Sequence, residues 1–128
     1  MKLKIVKARS LSEYLTSERS FIAENHSSGG ISVASARVKP GVTTVAHYLK
    51  GVDEIYLVTG GRGKVNVGDF EPTEVGAGDV IAIPAGTSQR ITNIGKTDLV
   101  FYCICTPKFT SECYFDEEAK NESPRKPF

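Results

Sequence analysis

Short stretches of alternating apolar and polar residues follow one another after residue 30, and glycine-containing turns separate them. Alternation with a period of two places successive side chains on opposite faces of a strand. Turn residues recur roughly every eight to twelve positions, which is typical of an antiparallel sandwich or barrel. Strands do not alternate with long helical patterns, which argues against a parallel sheet. The predicted strands are residues 31–38, 44–49, 54–59, 63–67, 73–75, 79–84, 88–93 and 98–106.

The N-terminal region has a weaker strand pattern. Residues 2–8 alternate lysine with Leu3 and Ile5, which predicts a short strand with one apolar side. Another short strand is predicted over residues 21–24. The sequence NHSSGG at residues 25–30 is typical of a turn-forming loop.

A short helical segment is predicted between these two strands. Ser10 and Glu13 have the spacing of a capping box, in which the two residues satisfy each other's backbone N–H groups. Leu11, Tyr14 and Leu15 would share one side of the segment. Residues 10–19 therefore predict one or two helical turns.

The last predicted strand is apolar on both faces over the sequence LVFYCIC. A strand buried on both sides must be covered by a second sheet or by another subunit, so this pattern predicts a homodimer. The predicted core consists of the apolar residues on these strands: Val33, Val45, Leu49, Ile55, Leu57, Val58, Val65, Val80, Ile81, Ile83, Ile91, Leu99, Phe101 and Cys103.

Composition narrows the classes of partner. The 128 residues include 16 lysines and arginines against 15 acidic residues, which gives a net charge of +1. Binding to nucleic acid or to an anionic membrane surface needs a concentrated positive face, so neither is expected. The sequence has no apolar run near the ~20 residues of a membrane span and no signal-peptide pattern. A small-molecule ligand is the expected partner.

The three cysteines, Cys103, Cys105 and Cys113, are an odd number, and two of them lie one residue apart on one strand face. A disulfide framework is therefore not expected, and the interpretation is a reduced, cytoplasmic protein. Residues 1–115 are predicted to form a single barrel domain. Residues 116–128 are charged and contain proline, which predicts a loose tail.

Two stretches that begin with glycine, residues 41–61 and 78–93, carry the candidate chemistry. His47 ends one predicted strand and Glu54 begins the next. Facing side chains on adjacent strands lie roughly 4.5–5.5 Å apart at their β-carbons, which is close enough to hold one ion. The second stretch adds Gln89 as a possible third donor.

The two stretches resemble the two motifs of small single-domain cupins. Eight of the ten fixed positions of those motifs match in order: Gly41, His47, Glu54, Gly61, Gly78, Pro84, Gly86 and Asn93. The two departures are Leu49 and Gln89, each where a cupin has a histidine. The resemblance implies an all-β double-stranded β-helix, or jelly-roll, barrel.

The resemblance also implies a divalent metal held by three histidines and a glutamate. His47 and Glu54 would then be metal ligands and Gln89 would point into the same cavity, whereas Leu49 has no donor atom. Imidazole and carboxylate suit Zn, Fe, Mn or Ni, but two strong ligands would hold the metal weakly. The set would be completed by one of the remaining candidates: Tyr48, Tyr56, Tyr102 or His26.

An alternative interpretation needs no metal. His47 and Glu54 would hydrogen-bond each other, because an unpaired buried charge is costly. Tyr56 shares a strand face with Glu54, so its hydroxyl would line the cavity or its ring would simply pack in the core. If Gln89 points inward, Arg90 points to the surface.

Two classes of function follow from the resemblance. The first is a metal-dependent oxygenase or isomerase acting on a small polar molecule, with Glu54 or Tyr56 as the acid–base candidate. The second is a non-catalytic barrel that binds or senses a small ligand. A third hypothesis, an enzyme resembling mannose-6-phosphate isomerase, needs cationic residues near the cavity. Lys50 and Arg90 are the nearby cations, and neither is predicted to point inward.

Overall fold

A computed structural model describes residues 1–118, and nearly all regular structure in it is β. The strands are β1 (Tyr14–Leu15), β2 (Phe21–Ser28), β3 (Ile31–Val38), β4 (His47–Leu49), β5 (Asp53–Gly60), β6 (Arg62–Val67), β7 (Thr73–Gly76), β8 (Val80–Ile83), β9 (Gln89–Asn93), β10 (Leu99–Thr106) and β11 (Tyr114–Asp116). Two 3₁₀ turns, Ala8–Ser10 and Ser111–Cys113, are the helical segments within residues 1–118.

Two antiparallel sheets form the barrel. The six-stranded sheet has the order β1-β2-β3-β10-β5-β8, and the five-stranded sheet has the order β11-β4-β9-β6-β7. The main buried cluster combines side chains from both sheets, for example Val58 and Phe101 with Val65 and Ile91. The sheets therefore pack face to face, as the alternating sequence predicts. None of the helical segments in the described chain is long and apolar enough to cross a membrane.

Alternation decides which side chains reach the interior. On β9, Gln89, Ile91 and Asn93 are buried, whereas Arg90 is exposed. On β5 the inward row begins with Glu54, so the next residue, Ile55, faces outward and is 38% exposed. A shift of one residue reverses the face of every side chain on a strand, so the inward glutamate fixes the whole row.

Most of the predicted core is confirmed. Eight of its residues are buried: Val45, Leu49, Val58, Val65, Ile83, Ile91, Leu99 and Phe101. The prediction is wrong for Ile55 and Val80, which are 38% and 59% exposed on the outer face. The other four are only partly buried: Val33, Leu57, Ile81 and Cys103.

The strand predicted over residues 21–24 is confirmed within β2, whereas the predictions for residues 2–19 are wrong apart from a 3₁₀ turn at Ala8–Ser10. Residues 2–8 form no strand, and Leu3 and Ile5 are almost fully exposed. The predicted helix is instead an extended segment containing β1. The capping box does not form: the Ser10 hydroxyl donates to the Lys7 carbonyl, and Glu13 binds the guanidinium of Arg37 at 2.6 Å.

The predicted loop at residues 25–30 is largely strand. β2 continues to Ser28, and only Gly29 and Gly30 form the turn. The register shifts between Glu24 and His26, which leaves Asn25 as a bulge whose side-chain oxygen accepts a hydrogen bond from Ser35 at 2.7 Å. The polar residues that suggested a loop therefore lie on a bulged strand.

The first residue of the predicted tail, Asp116, belongs to regular structure. Asp116 belongs to β11 and pairs with His47 of β4. Residues 119–128, most of the predicted tail, lie outside the described part of the chain. The domain boundary at residues 115 and 116 stays a prediction.

The homodimer also stays a prediction. The outer face of the six-stranded sheet carries an apolar row in which Ile104 lies beside Ile55 and Tyr102 lies beside Leu57, with Val80 next along. These side chains are partly or well exposed in the described structure. A second copy of the chain would remove this surface from water.

Replacing Ile55 with glutamate should therefore shift the protein from dimer to monomer. The charge would lie in the middle of the apolar row, where burying it without a partner is costly. Size-exclusion chromatography with light scattering measures the mass directly. Thr73→Glu, on the other sheet, is the matched control and should leave the dimer intact. A monomeric wild type, or a dimer that tolerates Ile55→Glu, contradicts the prediction.

Candidate functional site

One cavity of about 310 Å³ opens within the barrel and is lined from both sheets. Its wall includes His47, Glu54 and Tyr56, and it includes Glu18 and Glu24 from the N-terminal region. The volume is near the lower end of the range for small-molecule sites. The structure therefore brings two residues predicted from the motifs together in one cavity of the size of a small-molecule site.

His47 is held in one orientation. Its Nδ1 lies 2.7 Å from the carbonyl oxygen of Val45, and because a carbonyl only accepts, Nδ1 carries the proton. The ring stacks on Tyr114 of β11, with centroids 4.7 Å apart. Nε2 is left facing the cavity, 3.9 Å from Oε2 of Glu18. A neutral His47 thus offers its lone pair to the cavity.

Glu54 is 7% exposed, and its two carboxylate oxygens have different surroundings. Oε2 accepts a hydrogen bond from the Cys105 thiol at 3.5 Å. Oε1 has no hydrogen-bond partner among residues 1–118. Burial raises the pKa of Glu54 to about 7, and nearby His47 partly opposes the rise. The sequence suggested, as an alternative, that His47 and Glu54 hydrogen-bond each other directly. The described hydrogen bonds of these two residues do not include that contact.

Glu18 is the residue that sequence reasoning missed. It follows β1 in a turn where Arg19 has a positive φ of 74°. Its carbonyl accepts a hydrogen bond from the Val45 backbone N–H at 3.1 Å, which fixes the turn beside β4. Burial raises the pKa of Glu18, while His47 acts to lower it. No motif spacing marks Glu18, because its position depends on a contact between distant parts of the chain.

Gln89 and Tyr56 form a buried pair. The Tyr56 hydroxyl donates to Oε1 of Gln89, and both side chains are almost fully buried. Tyr56 lines the cavity, whereas Gln89 is not part of the described wall, although its side chain acts to lower the pKa of Glu54. Burial raises the pKa of Tyr56 well above its usual range, so the phenol stays protonated. Tyr56 therefore has both of the roles considered for it: it packs in the core and it lines the cavity.

The remaining candidates lie away from this cavity. Tyr48 stacks on Phe115, with centroids 5.2 Å apart. His26 contacts Ser28 at 3.3 Å on β2. Neither these residues nor Tyr102 belong to the described cavity wall. They do not complete a ligand set with His47 and Glu54.

The side chains at the four motif positions do not provide the set of ligands that the motifs imply for a divalent metal. Within residues 1–118, no group of three or more histidine, cysteine, aspartate or glutamate side chains is arranged to hold an ion. Leu49 packs in an apolar cluster with Cys105 and Tyr114. The amide oxygen of Gln89 is turned to Tyr56. The four-ligand set is thus reduced to His47 and Glu54.

The cysteines are free thiols in surroundings that suppress their reactivity. Burial raises the pKa of Cys103, Cys105 and Cys113. A thiol must ionise to act as a nucleophile or a strong metal ligand, so these groups do not provide either function at neutral pH. Cys113, which follows the last long barrel strand, is only 7% exposed.

The family model of the cupin domain, Cupin_2, matches residues 34–105. The chain belongs to the cupin family. This cupin is 38% identical over 81 residues to an uncharacterised protein of Methanocaldococcus jannaschii, covering 63% of the chain and 64% of that relative. The chain therefore spans less than two thirds of that relative's length. An uncharacterised protein of Streptomyces coelicolor is 31% identical over 87 residues, covering 68% of the chain and 76% of the relative.

Solved structures share the fold of this cupin at low sequence identity. KdgF from Halomonas has a TM-score of 0.79 at 13% identity, covering 87% of this chain and 99% of that one. A predicted oxalate decarboxylase from Thermotoga maritima has a TM-score of 0.74 at 23% identity, covering 81% and 99%. Pac13, a nucleoside dehydratase from Streptomyces, has a TM-score of 0.75 at 15% identity, covering 91% of each chain. At these identities the likeness establishes the fold alone.

Proposed function

We propose that this cupin is an enzyme that moves a proton on a small polar molecule, in an isomerisation or an elimination. The observation that carries the proposal is the Glu54 carboxylate, which lines the cavity with Oε1 unpartnered in the described structure. Leaving a buried acceptor unpaired is costly, and such groups concentrate at functional sites. A substrate hydroxyl, amine or C–H group would occupy that position.

His47 and Glu54 supply the acid–base pair. A group with a pKa near the working pH both gives and takes protons effectively, and the Glu54 pKa of about 7 meets that condition. His47 keeps its Nδ1 proton on the Val45 carbonyl and receives a proton at Nε2. Glu18, 3.9 Å away, would stabilise the resulting imidazolium. The same step does not need a bound metal.

The metal-dependent version expected from the motifs has weaker support. Its Lewis acid would depend on ligands that Leu49 and Gln89 do not provide, as their contacts indicate. The mannose-6-phosphate isomerase version has the least support, because Lys50 and Arg90 are both exposed. A phosphate group needs cationic or N–H donors.

The second candidate function is a non-catalytic barrel that binds a small ligand. The packing of Leu49 in the apolar cluster and the Tyr56–Gln89 pair favour it, since both replace metal-site chemistry with inert contacts. A related protein of the same fold, Pac13, is a nucleoside dehydratase, and this supports the enzyme by analogy only. Turnover distinguishes the two candidates.

The test is a screen of small metabolites with the purified protein in D₂O, read by mass spectrometry for deuterium uptake or loss of water. We expect the wild type to convert at least one compound in the presence of a chelator. His47→Gln and Glu54→Gln should each slow that reaction by roughly 10²–10⁴-fold, the usual contribution of a general acid or base. Glu71→Gln, at an exposed position, is the matched control and should leave the rate unchanged.

Two results would contradict the proposal that His47 and Glu54 catalyse a reaction. A reaction that survives both substitutions would place the chemistry elsewhere. Binding without any turnover would favour the non-catalytic barrel. A rate that returns only when metal replaces the chelator, with metal content lost in His47→Ala, would restore the metal-dependent version.

We also propose a cytoplasmic location. The three cysteines are free thiols, two of them within one strand. Free thiols persist in a reducing compartment, whereas secreted proteins of this size usually oxidise them to disulfides. Cell fractionation of the native protein tests this directly.

A further inference from the structure

The charged side chains of the cavity wall are mostly acidic. Three glutamates, Glu18, Glu24 and Glu54, contribute to it, and His47 is the one basic side chain among the described wall residues. No lysine or arginine belongs to that wall within residues 1–118. Arg19, the neighbour of Glu18, is turned away and binds Glu118 at 3.2 Å. The cavity is therefore an acidic site with no fixed cation to neutralise it.

Among the three glutamates, Glu54 gives the clearest reason to expect a bound ligand. Its side chain is more than nine-tenths buried and lines the cavity, and Oε1 has no hydrogen-bond partner in the described part of the chain. An acceptor in this position lacks a hydrogen-bond donor, and His47 is the one basic wall residue that acts on the Glu54 carboxyl. A ligand N–H group with a positive charge would supply the donor and a further positive charge at once, and hydrogen bonds between charged groups are the stronger ones.

The rest of the wall suits an organic group more than a small ion. Ile22, Leu49 and Phe109 provide apolar surface, and Tyr114 supports the ring of His47. A cation with a hydrocarbon body would place its charged end at Glu54 and bury its apolar part against these side chains. The volume of about 310 Å³ accommodates such a molecule.

We propose that the cavity binds a small organic ammonium compound, with the ammonium group bound by Glu54 and Glu18. This deepens the proposed function, since it assumes that the cavity is the substrate site. Once these carboxyl groups are ionised they would repel anionic substrates, because like charges in a low-dielectric cavity are strongly unfavourable. The proposal therefore excludes phosphorylated compounds and carboxylates as substrates of this cupin.

Three probes of one shape but different charge test the proposal: cyclohexylmethylamine, cyclohexylmethanol and cyclohexanecarboxylate. Binding to the full-length wild type is measured by isothermal titration with a chelator present, and the site is located by amide shifts in NMR spectra. We expect the amine to bind about tenfold more tightly than the alcohol, the usual effect of a charged hydrogen bond. The carboxylate should show no binding.

Substitutions connect that preference to the two glutamates. Glu54→Gln and Glu18→Gln should each weaken amine binding about tenfold while changing alcohol binding little. Glu71→Gln, outside the cavity, should change neither. Because both glutamine variants keep the shape of the side chain, circular dichroism provides a simple check that they fold. If one fails to fold, the other and the probe series still decide the result.

The proposal is overturned if the carboxylate binds as well as the amine, or if the amine and the alcohol bind equally. It is also overturned if no probe binds at millimolar concentration, or if amine binding ignores both substitutions. Failure of the proposed function looks different. Amine-selective binding with no turnover in the metabolite screen would support the proposed class of ligand and contradict the proposed enzymatic activity.

Discussion

Replacing Gly61 with alanine is expected to destabilise the fold by roughly 3 kcal/mol or more. Gly61 joins β5 to β6 with a positive φ of 80°, where an L-residue pays about 1–2 kcal/mol. A β-carbon there would lie 2.5 Å from the Asp98 carbonyl oxygen and 2.9 Å from the Leu99 Cα. These are backbone atoms, so no side-chain rotation relieves the overlap, and overpacking adds about 1–3 kcal/mol. Urea unfolding followed by circular dichroism measures the loss.

Gly41→Ala is the matched control. Gly41 has nearly the same φ, 79°, but an added β-carbon would meet no atom within 4 Å. Its substitution should therefore cost only the conformational term, about 1–2 kcal/mol. The difference between the two variants isolates the contact with Asp98 and Leu99. Equal losses would show that the close approach in the fold is not rigid.

The barrel was predictable because its signals are local. Gly41 and Gly61 lie at turns with positive φ, where glycine is favoured, and Gly78 and Gly86 share that conformation. Alternation within each strand then gives the inward row, as on β9. These features need only a few neighbouring residues, so the sequence carries them without knowledge of the fold.

The errors have two causes: a distant contact that overrides a local pattern, and a local alternation that the core prediction did not apply. Glu13 has the spacing of a helix cap, but its carboxylate binds Arg37 on β3, and the helix does not form. Ile55 has the composition of a core residue, but Glu54 takes the inward position beside it. The helix prediction failed because it depends on a partner far away in the sequence, whereas Ile55 faces outward because side chains alternate and its neighbour Glu54 faces inward.

The site was predictable to the same extent. His47 and Glu54 follow from motif spacing and line one cavity. Glu18 does not, because its approach to His47 depends on the hydrogen bond between its carbonyl and Val45. The Tyr56–Gln89 pair was also hidden, since the motif indicates only that both face inward. The pattern therefore identified two residues of the cavity wall but not the contacts around them.

Replacing Glu54 with glutamine is expected to stabilise the protein at pH 8 but not at pH 4. The folded-state pKa is raised from 4.5 to about 7, so the folded protein binds this proton more tightly than the unfolded chain. The stability that the protonated carboxyl contributes is complete below pH 4.5 and is lost as the pH rises to about 7. Each pKa unit corresponds to 1.36 kcal/mol, so the loss is about 3 kcal/mol at most.

Glutamine resembles the protonated carboxyl and does not titrate, so the variant-minus-wild-type difference isolates this effect. Urea unfolding at pH 4, 6 and 8 should show a difference that grows across this interval, whereas Glu71→Gln should stay parallel to the wild type. A difference that does not change with pH would mean that Glu54 remains ionised and paired in the folded protein. The carboxyl would then hold no proton to donate at neutral pH, and the acid–base role of Glu54 would be wrong. A growing difference indicates a buried carboxyl that changes its protonation near neutral pH, which the proposed reaction requires.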